Sequence, residues 1–113
     1  MRYDELLDFL ERRMTMSHVY QPLLIRTLVM SGGMATVRQL ALALLNEDER
    51  QIRYYEDRIK KMPVPVLERH GVVERTGELV RLKVDPLSYE QQARLKAVCE
   101  RRIAEFVEKR GIA

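Results

Sequence analysis

Tryptophan is absent from this 113-residue chain, and aromatic residues of every kind make up only 6% of it. Cysteine occurs once, as Cys99, which excludes an intramolecular disulfide and a cysteine-built zinc site. Glycine is sparse, and the pair Gly32-Gly33 lacks the later glycine and lysine of a phosphate-binding loop. No apolar run approaches the roughly 18 residues of a membrane span. The longest candidate, VYQPLLIRTLVM, is short and interrupted by Pro22 and Arg26, so no membrane partner is expected. The start, Met-Arg-Tyr-Asp-Glu, has no apolar core of a secretory signal. With a lone cysteine, this points to a reducing cytoplasm.

Catalytic and metal chemistry also lack a footing. His18 and His70 have no Asp, Glu, Cys or His spaced around them for a metal, so no metal or cofactor is expected. His70 reads as a last-turn residue at a helix end, and His18 as a capping or packing residue. The carboxylates of YDELLDFLE sit where they complement a helix dipole, and none stands out as a raised-pKa acid. Cys99, near the apolar side of the last helix, reads as a small core filler rather than a nucleophile. An enzyme is therefore not expected.

What the chain does have is an ordinary globular composition, 46% apolar and 33% charged, and enough length for one domain with its own core. The net charge of +3 is modest but unevenly placed. Residues 1–16 carry three basic and four acidic groups, and residues 17–49 two and three. Residues 50–75 carry seven and four, and residues 76–113 eight and six. The positive excess begins at residue 50, and a concentrated patch attracts nucleic acid even on a mildly basic chain.

Periodicity then gives the elements. Tyr3, Leu6, Leu7, Leu10 and Met14 fall at helical spacing, predicting a first helix over about residues 3–15. QPLLIRTLVMS predicts a second helix, with Pro22 at its first position and Gly32-Gly33 as its stop. The short connector GGMA leads to TVRQLALALL, where Thr36 and Gln39 form a capping box and Leu40, Ala41 and Leu44 face the core. Asp48 caps the next helix, 49–61, whose Ile52, Tyr55, Ile59 and Met62 share one face. Arg50, Arg53, Tyr54, Asp57, Lys60 and Lys61 occupy the opposite face. A break near 62–64 precedes a short helix begun by Pro65 and ended by Gly71. VVER and ELVRL read as a hairpin with Thr76-Gly77 at its tip. Ser88 and Gln91 cap a last helix reaching about Arg110, with Leu95, Val98, Ile103, Phe106 and Val107 as its apolar stripe.

Helix, connector, helix, turn, helix and hairpin is the order of a winged helix-turn-helix. In VLERHGVVERTGELVRL, the residues Val66, Leu67, Gly71, Val72, Val73, Thr76, Gly77, Leu79, Val80 and Leu82 resemble the end of that fold. The expected fold class is mainly α: a winged-helix core at 20–83, a small β-hairpin, and extra helices at 1–16 and 88–110, all in one domain. Four further stretches, MSHVYQPLLIRTLV, GGMATVRQLA, QIRYYEDRIKKMPVPVLERHGVVER and CERRIAEFVEKRG, resemble the N-terminal region of bacterial multi-domain proteins of HNH-nuclease type. That resemblance implies a module that delivers a C-terminal catalytic domain to nucleic acid, or a stand-alone relative. The His-Asn-His cluster of such nucleases is not in these residues, so their chemistry is not carried over.

The expected function is binding of double-stranded DNA, as a regulator or as a targeting arm. The helix 49–61 would present Arg50, Arg53, Tyr54, Lys60 and Lys61 to the major groove, which admits one helix. Arg75, Arg81 and Lys83 would make a basic wing, weakened by Glu74 and Glu78, and Arg38 would hold a phosphate near a helix start. Asp57 counts against tight phosphate binding. The plain alternatives are a solvated helix face supported by an Arg53–Asp57 pair and a mixed-charge hairpin. Tyr54 and Tyr55 read as one surface and one core tyrosine. A second function class is a non-catalytic interaction or dimerisation module. In it the terminal helices pack across the back of the core or pair in a homodimer, whose two-fold axis would set half-sites about 34–36 Å apart.

Overall fold

A helix buried on nearly all sides organises the molecule. The structure is a computed structural model, and it describes residues 1–15, 20–44 and 52–110, without the side chains of Val107, Lys109 and Arg110. Helix α2 (Tyr20–Met30) buries Gln21, Pro22, Leu24, Ile25, Leu28 and Val29. A helix with so little polar surface needs neighbours on both sides. It has them: α6 (Tyr89–Arg110), which itself packs against the N-terminal helix, and the helix-turn-helix with its small sheet.

The first helix departs from the expected single run over 3–15. Helix α1 (Tyr3–Asp8) continues as a π-helical turn, Phe9–Arg13, and the chain then becomes extended at Met14. The Met14 N–H donates to Phe9 O, five residues back, at 2.8 Å. Leu6, Phe9 and Leu10 lie three and four residues apart, one face of an ordinary helix, and all three are fully buried. The predicted stripe omits Phe9 although it falls on that face.

Helix α2 begins at Tyr20, two residues earlier than Pro22 alone suggests, but Pro22 still lies in the first turn where an N–H has no helical partner. At its other end, the Gly33 N–H closes back on Leu28 O. The connector GGMA is not merely a linker. Met34–Thr36 form strand β1, which pairs antiparallel with β3 (Leu79–Leu82), and β3 pairs with β2 (Val73–Thr76), giving the order β1-β3-β2.

Helix α3 (Val37–Leu44) carries the predicted capping box: Thr36 Oγ1 accepts from the Gln39 N–H at 3.0 Å, and Gln39 Oε1 from the Thr36 N–H at 2.8 Å. It packs on α4 (Ile52–Lys61), with Val37, Leu40 and Ala41 buried from α3 and Ile52 and Ile59 from α4. The proposed cap at Asp48 lies outside the described residues. The break after α4 is where the prolines predict it, but Pro63, not Pro65, starts the next helix, α5 (Pro63–Arg69). Met62 supplies the non-helical joint, with φ −132° and ψ −68°. Gly71 ends α5 at φ +74°, a left-handed conformation that strains other residues, and the Val72 N–H closes on Leu67 O at 2.9 Å.

The hairpin turn is Gly77-Glu78, one residue later than the predicted tip, because Thr76 pairs with Leu79. Gly77 has φ +60°, as a two-residue hairpin turn requires at its first position. Helix α6 opens with the predicted Ser88–Gln91 box, Gln91 N–H to Ser88 Oγ at 3.1 Å and Ser88 N–H to Gln91 Oε1 at 2.9 Å. Its Leu95, Val98 and Cys99 are buried, while Ile103 and Phe106 are half-buried. Helix α6 packs on α2, and the N-terminal helix packs on α6. Glu11 reinforces the second contact with ion pairs to Arg94 at 3.9 Å and Arg101 at 3.3 Å. The architecture is mainly helical, a winged helix-turn-helix with a three-stranded sheet and added helices at both ends. Among the described residues no helix is long and apolar enough to cross a membrane.

Candidate nucleic-acid interface

Ile52 and Ile59 anchor α4 in the core, so the intervening residues turn outward. Arg53, Tyr54, Asp57, Arg58 and Lys61 are exposed. Arg50 lies outside the described residues. No carboxylate pairs with Arg53 among them. The anticipated Arg53–Asp57 pair is not formed; Asp57 instead meets Lys61 at 2.9 Å. An acid four residues before a base is the favoured order on a helix, which explains the preference.

Tyr54 is 57% exposed, and Tyr55 is half-buried beneath it, as the one-surface, one-core reading predicts. Their rings meet edge to face with centroids 5.3 Å apart, and Tyr20 lies against Tyr55 at 6.5 Å. The Arg58 guanidinium sits 5.8 Å from the Tyr54 ring centre. Burial pushes the Tyr20 hydroxyl pKa up, Tyr55 adds to the effect, and Arg58 opposes it. Arg58 was not among the predicted site residues. Its signal was its position one helical turn after Tyr54, where a cation can cover the ring.

Lys60 behaves differently from the other cations of α4. Its side chain is about one-third exposed, and its ammonium pairs with Glu78 at the hairpin turn at 2.5 Å. The same turn is tied to α3, because the Val37 N–H donates to Glu78 O at 2.7 Å. Arg38, the next residue, is exposed at this junction. Thus the C-terminal end of α4, the start of α3 and the hairpin turn converge, bringing Arg38, Lys60 and Lys61 into one region.

The hairpin does not present a single basic face. Arg81 pairs in register with Glu74 and Met34, whereas Arg75 pairs with Val80. Alternation along a strand therefore puts Arg81 and Arg75 on opposite faces of the sheet. Arg81 is on the outer face, held by Glu74 at 3.4 Å. Arg75 is half-buried, its guanidinium donates to Gly77 O at 3.1 Å, and its backbone N–H donates to Glu68 at 3.4 Å. Arg75 thus braces the turn, and Arg81 stands apart from the α4 face. Of the three bases of the expected wing, Arg75 is engaged at the turn and Arg81 by Glu74, and Lys83 is exposed.

Elsewhere, Cys99 is fully buried and its thiol pKa is pushed up to about 12 by burial, which suits the core-filler reading. His70 caps the end of α5 and its ring packs 5.0 Å from Phe9. His18 lies outside the described residues. Among the described residues no group of three or more His, Cys, Asp or Glu side chains is placed to hold a metal ion. A cleft of about 390 Å³ opens between the end of α2, the β1–β3 edge and the segment before α6, lined by Met34, Arg81, Leu82, Val84, Pro86 and Leu87 among others. Comparison with protein-family models, curated proteins and solved structures gives no match to this chain.

Proposed function

We propose that this chain binds double-stranded DNA, with α4 against the major groove and the hairpin turn beside it on the backbone. The observation that carries the reading is the outer face of α4, which is exposed among the described residues. Helix α6 packs on α2 and on the N-terminal helix, whereas α4 packs on α3 and α5. Arg53, Tyr54, Arg58 and Lys61 are left exposed on a helix whose inner face is anchored, and the turn that holds Lys60 extends the same surface. Arginine is the commonest reader of guanine, and an aromatic ring suits a base edge or methyl group. The resemblance to the N-terminal region of HNH-nuclease-type proteins supports a role as the targeting module of a DNA-processing protein; a free-standing regulator uses the same surface.

The test is affinity for a mixed-sequence duplex as a function of salt. Replacing Arg53, Arg58 and Lys61 together by Ala is expected to weaken binding and to flatten the slope of log K against log salt by about two to three, at roughly 0.9 per lost phosphate contact. An unchanged affinity and slope would remove α4 from the interface.

A second reading, a non-catalytic interaction module, draws on a different surface. Met34 and Leu79, 49% and 41% exposed, share the outer face of the sheet with Arg81, next to the unpaired edge of β1. Assembly through this face would respond to Met34→Asp and Leu79→Asp in size-exclusion chromatography and leave DNA binding intact.

A further inference from the structure

Two of the cations on the α4 face are already occupied. Lys60 pairs with Glu78 and Lys61 with Asp57, so the last turn of α4 carries its own counter-charges. Neither carboxylate is buried: the side chains of Glu78 and Asp57 are 60% and 58% exposed. Both carboxylates are therefore open to solvent beside the lysines they pair with. Glu78 sits on the turn that α3 and α4 jointly hold, so its position is set by the fold.

We infer that Asp57 and Glu78 are specificity-determining residues that compete with DNA phosphate for Lys61 and Lys60, so that this face rejects duplex offering backbone charge alone. The inference rests on the DNA-binding reading and refines it. A phosphate approaching either lysine must share the ammonium with a carboxylate or displace it, and gains little either way. It also leaves Asp57 or Glu78 near a polyanion, an unfavourable juxtaposition. Duplex is held well only where other contacts offset that cost. Arg53, Tyr54 and Arg58, on the rest of the same helix face, are the side chains placed to make them. Specificity of this kind comes from a built-in repulsive element rather than from stronger attraction. It also accounts for acidic residues in the middle of a surface otherwise suited to an acidic partner.

The experiment compares wild type, Asp57→Asn/Glu78→Gln, and a charge-matched control, Glu90→Gln/Glu108→Gln, whose residues are exposed on α6. Each is titrated with a mixed-sequence duplex at salt concentrations between about 50 and 200 mM. Two freed lysines are expected to steepen the salt slope by about two and to raise affinity roughly tenfold or more at the low-salt end, beyond any change in the control. If wild type binds with a clear salt slope but the Asp57/Glu78 variant matches the control, the competition idea fails and the DNA reading stands. If none of the three binds duplex in a salt-dependent way, the DNA reading itself fails. Should circular dichroism show the double variant unfolded, Glu78→Gln alone makes the same comparison, with an expected slope change of about one.

Discussion

Replacing Leu95 by Ala asks whether the long last helix is part of the core or an arm laid on its surface. Leu95 is fully buried on α6, the helix that packs on α2. The substitution removes the side chain beyond Cβ from a filled interior, losing its transfer free energy and leaving a cavity. The expected cost is about 2–5 kcal/mol. A domain of this size has a total stability of about 5–15 kcal/mol, so the loss is a large share. With a urea m-value of about 1–3 kcal/mol/M, a cost near ~3 kcal/mol lowers the unfolding midpoint by about 1–3 M while the slope stays constant. Tyr89, on the same helix but 86% exposed, supplies the reference, since Tyr89→Ala is expected to stay within about 0.5 kcal/mol of wild type. A Leu95→Ala shift no larger than that of Tyr89→Ala would mean that α6 is not integrated, and that the back of the fold is free for another partner.

Further predictions follow from the same packing. Because burial raises the Cys99 thiol from 9.0 to about 12, its thiolate fraction at pH 8 is about a thousandfold below that of an ordinary cysteine, and a thiol reagent should label it only after unfolding. The raised value also gives a pH dependence. The stabilisation is complete below pH 9, where the unfolded thiol is still protonated, and is lost as pH rises toward 12 at about 1.4 kcal/mol per unit. Cys99→Ala should remove that component of the alkaline loss, as measured by urea melts between about pH 9 and 11. Ser88→Ala, which breaks the α6 capping box, is expected to cost about 1 kcal/mol in the same melts; no measurable loss would show that the box is incidental.

The local features of this fold were legible in the sequence, and the non-local ones were not. The two capping boxes, Thr36–Gln39 and Ser88–Gln91, and the Gly71 stop each depend on residues only a few positions apart, so the residue types alone disclose them. Strand β1 is invisible because Met34–Thr36 is too short to show alternation and becomes a strand only by pairing with residues more than forty positions away. Phe9, three residues after Leu6, was legible at ordinary helical spacing, and the predicted stripe omitted it. For the candidate site, the exposed face of α4 was readable from Ile52 and Ile59. Its electrostatics were not. Asp57 had two bases within reach, and the geometry chose Lys61; Glu78 meets Lys60 only because the hairpin folds back over α3. The wing arginines carry the same lesson, since strand parity separates Arg75 from Arg81 despite their shared charge.

The joint at Met62 and Pro63 has a practical consequence. It ends α4 cleanly and leaves α5 and Gly71 to position the hairpin, so the C-terminal boundary of α4 is set by its own joint. With Ile52, Tyr55, Ile59 and Lys60 retained, the outward positions can be randomised as a library while the core and the tie to the hairpin turn are kept. On the proposed DNA-binding reading, selection from such a library would redirect the protein to new sequences by rewriting one helix face.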